Sequence, residues 1–522
     1  MLEGRFAPLR MRVLVIDDEL KQDSAEGHAA RAMVKAIETR NLEVVQAYSA
    51  ADGMTAITSD AAIHAVLMDW MLGDDDVHHE KAKALLDYIR ERNDRIPVFL
   101  MAERRDSAKL PVEIMQRVDE FIWTLEDTAA FVSGRVEAAA RRYIEELAPP
   151  MAAALARFAR VHEYSWHTPG HTGGTAFLKS TVGRMFYDYF GENLLRSDLS
   201  ISVGELGSLL DHTGPIGESE KYAARVFGAH RTYCVTNGTS TSNRIIFMAA
   251  VAKDQIALCD RNCHKSIEHG LTLTGGIPTY YVPLRNRWGI IGPIHPDQFK
   301  NASIKKAIAS NPLLHEGVDK KPVYSVVTNS TYDGLCYNAK SVEAQLGDTV
   351  DRVHWDEAWY GYARFNPIYR DRFGMRGEAA GHTGPTVFAT HSTHKLLAAL
   401  SQASFLHIRD GRSPIPHARF NEAFMMHAST SPQYAIIASN EISAAMMEGV
   451  GGLILTTESI QEAVAFRHLD YPTLHIQSLA VALICFLAAC LRWAGVRLTC
   501  APSGTPAPLA RLLMVRPSMP TA

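Results

Sequence analysis

The sequence predicts an α/β protein made of two successive domains, each with an open and mainly parallel sheet. Short apolar runs alternate with amphipathic helical segments, as in parallel sheets covered by helices. The alternation is interrupted at a proline pair, residues 149–150, and then resumes. A length of 522 residues exceeds an ordinary single domain, and 47% apolar residues suffice for two cores.

The first domain is predicted to span residues 1–147. Compact apolar runs predict five strands, at residues 12–17, 42–49, 63–72, 96–102 and 118–125. Helical periodicity predicts helices at residues 27–40, 50–60 and 81–92. Because strands and helices alternate, the strands are expected to form a parallel sheet.

Acids follow the first and third predicted strands: Asp17, Asp18 and Asp69. This order resembles a response-regulator receiver, in which such acids hold Mg²⁺ and Asp69 would accept a phosphoryl group. A receiver also needs a hydroxyl after the fourth strand and a lysine after the fifth, where this sequence has Ala102 and Thr124. We therefore expect a receiver-shaped docking domain with no metal site. A phosphorylation-controlled signalling protein is the alternative.

Residues 148–166 are predicted to be a linker, in which one helix ends before the proline pair and another follows. The second domain is predicted to span residues 167–455 and begins with a glycine-rich loop. Its buried strands are predicted within residues 233–236, 257–260, 323–338, 351–365 and 386–408.

Charge and cysteine content restrict the class of protein. Lys and Arg number 53 and Asp and Glu number 57, a net charge of −4 without a basic stripe, so nucleic acid is not expected as a partner. The seven cysteines contain no CxxC pair, which suits a reducing compartment. The longest apolar run, residues 479–490, is too short to cross a bilayer. We expect a cytoplasmic protein without a membrane partner.

Polar residues follow several strands of the second domain. Thr239 and Ser240 stand at a predicted helix start, where backbone N–H groups suit a phosphate, although helix capping by either hydroxyl is the alternative. Asp356 ends a buried strand, where an acid is costly unless it is paired. Lys395 lies between a hydroxyl-rich turn and an apolar run. Because parallel strands gather their ends at one crevice, these groups would converge, as pyridoxal phosphate requires.

Eight motifs resemble the bacterial Orn/Lys/Arg decarboxylases that carry a wing domain. They are HTPGHTGGTAF, SDLSISVGELGSLLDHTGP, TNGTSTSN, DRNCHKS, TNSTYDGLCYN, HWDEAWYGYARF, STHKLLAALSQAS and FNEAFMMHASTSPQY. The likeness covers residues 1 to about 466. It implies a receiver-like (flavodoxin-like) wing domain, followed by a large domain of the pyridoxal-phosphate-dependent transferase fold with a mainly parallel sheet.

The resemblance also implies roles for particular residues. Lys395 matches the lysine that binds the cofactor covalently, and Asp356 matches the acid on its pyridine nitrogen. His264, expected in a loop with Lys265, matches the histidine that stacks on the cofactor ring, which Trp359 flanks. Lys395, His264 and Asp356 are thus the predicted catalytic residues.

Other matching positions lie around the cofactor phosphate: Thr239, Ser240, Ser392 and His394. Thr430 and Ser431 match a segment that in this family reaches the site across a dimer interface. The resemblance therefore implies a homodimer or a higher homo-oligomer, assembled through the large and wing domains.

The implied reaction is decarboxylation of a basic amino acid, which gives agmatine or a diamine and CO₂ and consumes a proton. Lys395 or a nearby histidine would reprotonate the substrate Cα. Motifs such as AWYGYARFNPIY resemble arginine-degrading members, whereas SWHTPGH also resembles lysine-specific ones. Arginine is favoured as substrate, then lysine, then ornithine.

The likeness is expected to stop after Arg467. The remaining residues contain no Lys and no Glu, and they hold three of the seven cysteines. We interpret residues 456–522 as a truncated, aberrant segment in which the reading frame changes after Arg467, with a genuine divergent tail as the alternative. A poorly soluble, weakly active or inactive product is then expected.

Overall fold

The computed structural model describes residues 11–73, 78–105, 110–161, 168–199 and 203–468, with side chains described up to residue 465. The part of the predicted aberrant segment that follows residue 468 lies outside the described residues, as do residues 162–166 of the predicted linker. Within the described ranges, no helix is both long and apolar enough to cross a bilayer.

The N-terminal domain is built on a five-stranded sheet in which every strand is parallel to its neighbours. The strands are β1 (Arg12–Ile16), β2 (Glu43–Ala47), β3 (Ile63–Asp69), β4 (Val98–Ala102) and β5 (Glu120–Trp123). The helices are α1 (Ala25–Glu38), α2 (Ala50–Ser59), α3 (Glu80–Arg92), α4 (Val112–Met115) and α5 (Ala129–Leu147). The strand order β2-β1-β3-β4-β5 is that of flavodoxin-like folds, so the predicted receiver-like fold is confirmed.

Helices cover both faces of this sheet because each strand alternates between two apolar clusters. Leu14 and Ile16 of β1 pack into one cluster, whereas Val13 and Val15 pack into the other. Three helices have an N-cap residue whose side chain accepts a backbone N–H: Ser24 for α1, Ser49 for α2 and Thr128 for α5.

Of the acids at the carboxyl edge of this sheet, Asp17 is buried, and Asp18 and Asp69 are partly buried. Asp17 accepts a hydrogen bond from the Glu19 backbone N–H at 2.8 Å, and burial raises its pKa to about 6. Burial, followed by the charge of Asp17, raises the pKa of Asp69 well above its usual value. Among the described residues, no group of three or more His, Cys, Asp or Glu side chains is arranged to hold a metal ion. Asp17 has a structural role as a cap of the following turn.

The connection between the domains is largely helical. α6 (Pro150–Val161) starts at a proline, which is tolerated in the first helical turn. The Glu441 carboxylate accepts the backbone N–H groups of Met151 at 3.0 Å and Ala152 at 2.8 Å. Leu155 and Phe158 pack into the core of the large domain. The start of the large domain is thus fixed by a charged cap and by apolar packing.

The large domain contains a seven-stranded sheet of order β6-β14-β13-β12-β11-β7-β8. Its strands are β6 (Arg231–Val235), β7 (Ile256–Asp260), β8 (Ile277–Tyr281), β11 (Tyr324–Thr328), β12 (Arg352–Asp356), β13 (Thr386–His391) and β14 (Ser404–Arg409). A separate antiparallel ribbon is formed by β9 (Pro283–Arg285) and β10 (Ile291–Ile294). Only β14 runs antiparallel to its neighbours, so the predicted mainly parallel sheet is confirmed.

Helices surround this sheet and carry several of the residues discussed below. They are α7 (Thr181–Phe190), α8 (Glu192–Ser197), α9 (Gly214–Phe227), α10 (Thr239–Ala250), α11 (Lys265–Thr274), α12 (Asn301–Ala309), α13 (Ala339–Leu346), α14 (Thr393–Leu396), α15 (His417–Met425), α16 (Tyr434–Met447) and α17 (Val450–His468). α17 packs against α16 and reaches α3 of the N-terminal domain, where Glu458 pairs with Arg92 at 3.0 Å.

Candidate functional site

A cavity of about 730 Å³ lies at the carboxyl edge of the large sheet. Residues that follow β6, β7, β11, β12 and β13 line it, as expected where parallel strands end together. Eight of the ten residues selected from the sequence are in its wall: Thr239, Ser240, His264, Asp356, Trp359, Ser392, His394 and Lys395. Residues as far apart as 239 and 395 are thereby brought together.

Thr430 and Ser431 are not in this wall. Both are exposed, in the segment between α15 and α16. Their predicted role requires a second copy of the chain, so a single chain is not expected to place them in its own cavity. Their role stays a prediction.

One end of the cavity is formed by the N-terminus of α10. The helix is capped by the backbone of Gly238, whose φ of 73° is readily adopted by glycine, and no side chain caps it. The alternative interpretation, in which Thr239 or Ser240 caps this helix, is therefore wrong. The Thr239 hydroxyl instead bonds the hydroxyl of Ser392 and lies 3.3 Å from that of Ser404. A helix N-terminus with hydroxyls beside it suits a phosphate group.

His394 supports the same end of the cavity. Its Nδ1 lies 2.7 Å from the Ala403 carbonyl oxygen, and because a carbonyl can only accept, Nδ1 carries a proton there. This bond fixes the ring on the short helix α14, next to Lys395.

Asp356, the last residue of β12, is buried in the cavity wall. Asn243 Nδ2 donates to its Oδ2 at 3.0 Å, and Thr390 Oγ1 lies 3.5 Å from its Oδ1. Burial raises the pKa of Asp356, which the Asn243 hydrogen bond and the charges of His264 and Lys395 partly offset. A buried carboxylate held by neutral donors is well suited to a cationic ligand atom.

The sequence predicted His264 and Lys265 in a loop, which is right for His264, at the end of the segment after β7, and wrong for Lys265, which lies in α11. His264 is the N-cap of α11, and its ring accepts the Ser266 backbone N–H, while Lys265 begins the helix. A histidine is a rare choice for this position, and its signal in the sequence is weak. More than a third of His264 is exposed to the cavity, yet desolvation still lowers the pKa of its ring.

Lys395 and Trp359 lie against each other. Lys395 Nζ is 4.4 Å from the centroid of the Trp359 ring. Burial lowers the pKa of Lys395, and the charge of Asp356 opposes this shift. A lysine of lowered pKa is more often neutral at pH 7, and a neutral amine is the reactive form toward a carbonyl carbon.

Comparisons with known proteins connect this site to a family. A family model described as "Orn/Lys/Arg decarboxylase, major domain" matches residues 149–482, well over half of the chain. A second model, "Orn/Lys/Arg decarboxylase, N-terminal domain", matches residues 25–143. The chain belongs to the Orn/Lys/Arg decarboxylase family. The predicted resemblance is confirmed, and the match with the major-domain model extends past Arg467, where the likeness was expected to stop.

Two relatives and one solved structure illustrate the similarity within the Orn/Lys/Arg decarboxylase family. The biodegradative arginine decarboxylase of Escherichia coli is 51% identical and covers 88% of this chain and 61% of its own length. A lysine decarboxylase of Pseudomonas aeruginosa is 45% identical, with 88% and 62% covered. The solved structure of lysine decarboxylase A from Pseudomonas aeruginosa has a TM-score of 0.83 and 44% identity, covering 89% of this chain and 64% of that one. The chain thus spans about three fifths of the length of these relatives.

Two site residues were not selected from the sequence, although both lie within quoted motifs of the Orn/Lys/Arg decarboxylase family. Asn243 follows Thr239 by four residues, so both lie on one face of α10. That spacing could have identified Asn243 as a partner of Asp356. Gln402 also lines the cavity, and its carbonyl accepts the Gly238 N–H at 2.8 Å, but no periodic signal marks it.

Proposed function

We propose that this chain carries the cofactor site of a pyridoxal-phosphate-dependent decarboxylase that acts on a basic amino acid, with arginine favoured over lysine and ornithine. The observation that carries the proposal is the convergence, in one cavity, of Lys395, the buried Asp356 and the N-terminus of α10, which no side chain caps. Membership of the Orn/Lys/Arg decarboxylase family supports the same reaction class.

The residues present fit pyridoxal phosphate. Lys395 Nζ would bind its aldehyde carbon covalently, and Asp356 would pair with its ring nitrogen. The backbone N–H groups at the start of α10 would bind its phosphate, together with the hydroxyls of Thr239, Ser240 and Ser392 and the ring of His394. Burial makes a carboxylate without a cation unfavourable at Asp356, which favours a ligand that brings a proton there.

When bound, pyridoxal phosphate supplies an electron-withdrawing ring that makes loss of CO₂ from the attached substrate feasible. The carboxylate of Asp356 would keep a proton on the ring nitrogen. The rings of His264 and Trp359 would flank the site and orient the substrate bond that breaks. Lys395, a neutral amine once substrate is bound, would take up a proton from solvent and, as the ammonium, deliver that proton to Cα. Each turnover would consume one proton.

The preference for arginine rests on relatives. The chain is 51% identical to an arginine decarboxylase, 45% to a lysine decarboxylase and 35% to the inducible ornithine decarboxylase of Escherichia coli. We expect CO₂ release from the three amino acids in that order when each is supplied at the same concentration with pyridoxal phosphate. Faster release from lysine or ornithine would contradict the preference.

We further propose that a second copy of the chain covers the apolar face of α7. Five large apolar side chains of this helix are exposed, from 43% to 83%: Val182, Met185, Phe186, Tyr189 and Phe190. Monomeric proteins rarely expose such a contiguous patch. In a symmetric dimer, the exposed Thr430 and Ser431 of one copy would reach the cavity of the other.

A charged residue on this face should weaken the dimer. We expect Met185→Lys to shift the particle mass measured by light scattering toward the monomer, because the lysine would be buried without a partner. Leu313→Lys is the matched control, since Leu313 is an exposed apolar residue as well, at 56%, but lies in a loop and not in α7. An equal shift in both variants, or none in Met185→Lys, would contradict the proposal.

A further inference from the structure

A network of polar side chains lies behind the cavity wall and joins two residues that face the cavity. It runs from Tyr324 through His354, Thr390, Asn243 and Ser266 to His264, and it also contacts Asp356. We propose that Asn243 is a positioning residue that links Asp356 to His264, so that the His264 ring faces the cavity as a neutral group with its proton on Nε2. The roles of these two residues rest on the proposed function, but the order of the hydrogen bonds does not.

The donor and acceptor of each hydrogen bond in the network are assigned starting from Asp356, because an ionised carboxylate can only accept hydrogen bonds. Asn243 Nδ2 lies 3.0 Å from Asp356 Oδ2, so the amide NH₂ faces the acid. Asn243 Oδ1 lies 3.1 Å from Thr390 Oγ1 and accepts the hydroxyl proton of Thr390. The orientation of the Asn243 amide is thus fixed from both sides.

Two further hydrogen bonds, from His354 to Thr390 and from Tyr324 to His354, are consistent with Thr390 as the donor to Asn243. Since the single proton of Thr390 is donated to Asn243, His354 Nε2, at 3.1 Å, must donate to Thr390 Oγ1. Complete burial lowers the pKa of His354 to about 3, so the ring is neutral and its Nδ1 carries no proton. The buried hydroxyl of Tyr324 donates to that nitrogen. Every proton along this branch therefore points toward Asn243.

The second amide proton of Asn243 determines the donors and acceptors in the branch that leads through Ser266 to His264. Asn243 Nδ2 donates to Ser266 Oγ at 2.9 Å, which leaves the Ser266 hydroxyl proton for His264 Nδ1 at 2.8 Å. The backbone N–H of Ser266 also points at His264 Nδ1, at 3.2 Å, and a backbone N–H cannot accept. His264 Nδ1 is therefore an acceptor, and the proton of the neutral ring lies on Nε2.

This tautomer restricts what His264 can do in the reaction. A neutral imidazole with Nε2–H donates hydrogen bonds, but it is a poor acid because losing that proton would leave an imidazolate. His264 is thereby a group that orients a neighbour, and delivery of a proton to Cα is assigned to Lys395. The sequence had left a nearby histidine as a second candidate for that step.

Nitrogen-15 NMR of the cofactor-free chain, labelled at its histidines, tests the proposal directly. The signals of His264 are identified by their loss in His264→Gln. At pH 7 we expect one protonated and one bare ring nitrogen, with Nδ1 the bare one. A ring protonated on Nδ1, or on both nitrogens, would overturn the proposal.

Two substitutions test the link through Asn243. Ser266→Ala removes the hydroxyl donor to the neutral ring, and Asn243→Leu removes the amide that orients this hydroxyl. Both should raise the pKa of His264 measured by the NMR titration, because a hydrogen bond to the neutral form favours that form. The charged groups around His264 remain in each variant: Asp356, Lys395, Lys265 and His269.

Asn262→Leu is the matched control, since Asn262 also lines the cavity but does not belong to the network. Its His264 titration should equal that of the unsubstituted chain. If Asn243→Leu fails to fold, Ser266→Ala, which only shortens a side chain, still decides the outcome. An unchanged titration in Ser266→Ala would overturn the link. Because no cofactor is present, a chain that fails to bind pyridoxal phosphate could still pass this test, so the two proposals fail separately.

Discussion

Replacing Lys395 with alanine is expected to abolish covalent capture of pyridoxal phosphate and to lower CO₂ release by roughly a thousandfold or more. Lys395 Nζ lies in the cavity against Trp359, and burial lowers the pKa of the amine, which increases the reactive neutral fraction. Alanine provides neither the covalent bond nor the amine that delivers a proton. Visible absorbance of the cofactor-treated chain measures capture, and CO₂ release from arginine measures turnover.

The matched control is Lys265→Ala, because Lys265 also lines the cavity but begins α11. This variant should capture the cofactor as the unsubstituted chain does. Capture that persists in Lys395→Ala and disappears in Lys265→Ala would show that the lysine was assigned incorrectly.

The rate of cofactor capture should rise with pH until the Lys395 amine is fully neutral, because the neutral amine is the reactive form.

Replacing Asp356 with asparagine is expected to leave cofactor binding largely intact and to lower CO₂ release by roughly a hundredfold or more. The amide has nearly the shape of the carboxylate, but it carries no charge to keep a proton on the ring nitrogen. Turnover and the absorbance of the captured cofactor are compared between the two chains. A rate near that of the unsubstituted chain would show that another group holds this proton.

The same substitution has a predicted effect on stability, which separates loss of function from loss of fold. Burial raises the pKa of Asp356 above its value in an unfolded chain, so the ionised acid destabilises the cofactor-free fold once the pH exceeds that unfolded value. Asparagine removes this cost. The thermal midpoint of cofactor-free Asp356→Asn at pH 7 should therefore equal or exceed that of the unsubstituted chain, and a lower midpoint would contradict this argument.

The sequence predicted the five strands of the N-terminal domain well, because buried parallel strands are continuous apolar runs, whereas β8, β9 and β10 of the large domain were not predicted. β4, for example, is buried at all five positions, and its continuous apolar sequence is typical of a buried parallel strand. Asp356 and Lys395 were also predictable, because a buried strand that ends in an acid and a lysine set before an apolar run are unusual local patterns. The family resemblance then gave each of them a role.

Features that depend on contacts between distant segments were not predictable. No side chain caps α10, and the Thr239 hydroxyl bonds that of Ser392, which is 153 residues away. β14 is antiparallel because the chain returns beside β13 and pairs with β6. The apolar sequence of a strand does not indicate the direction in which the strand runs in the sheet. The orientation of Asn243 likewise depends on Asp356, 113 residues away.

The central claim, that Lys395 is the residue that binds pyridoxal phosphate, is tested most directly by trapping and mapping. The chain is incubated with pyridoxal phosphate, reduced with borohydride, digested and analysed by mass spectrometry. We predict that the reduced phosphopyridoxyl group is found on the peptide that contains Lys395. Modification confined to Lys265 or to exposed lysines, with Lys395 unmodified, would contradict the account.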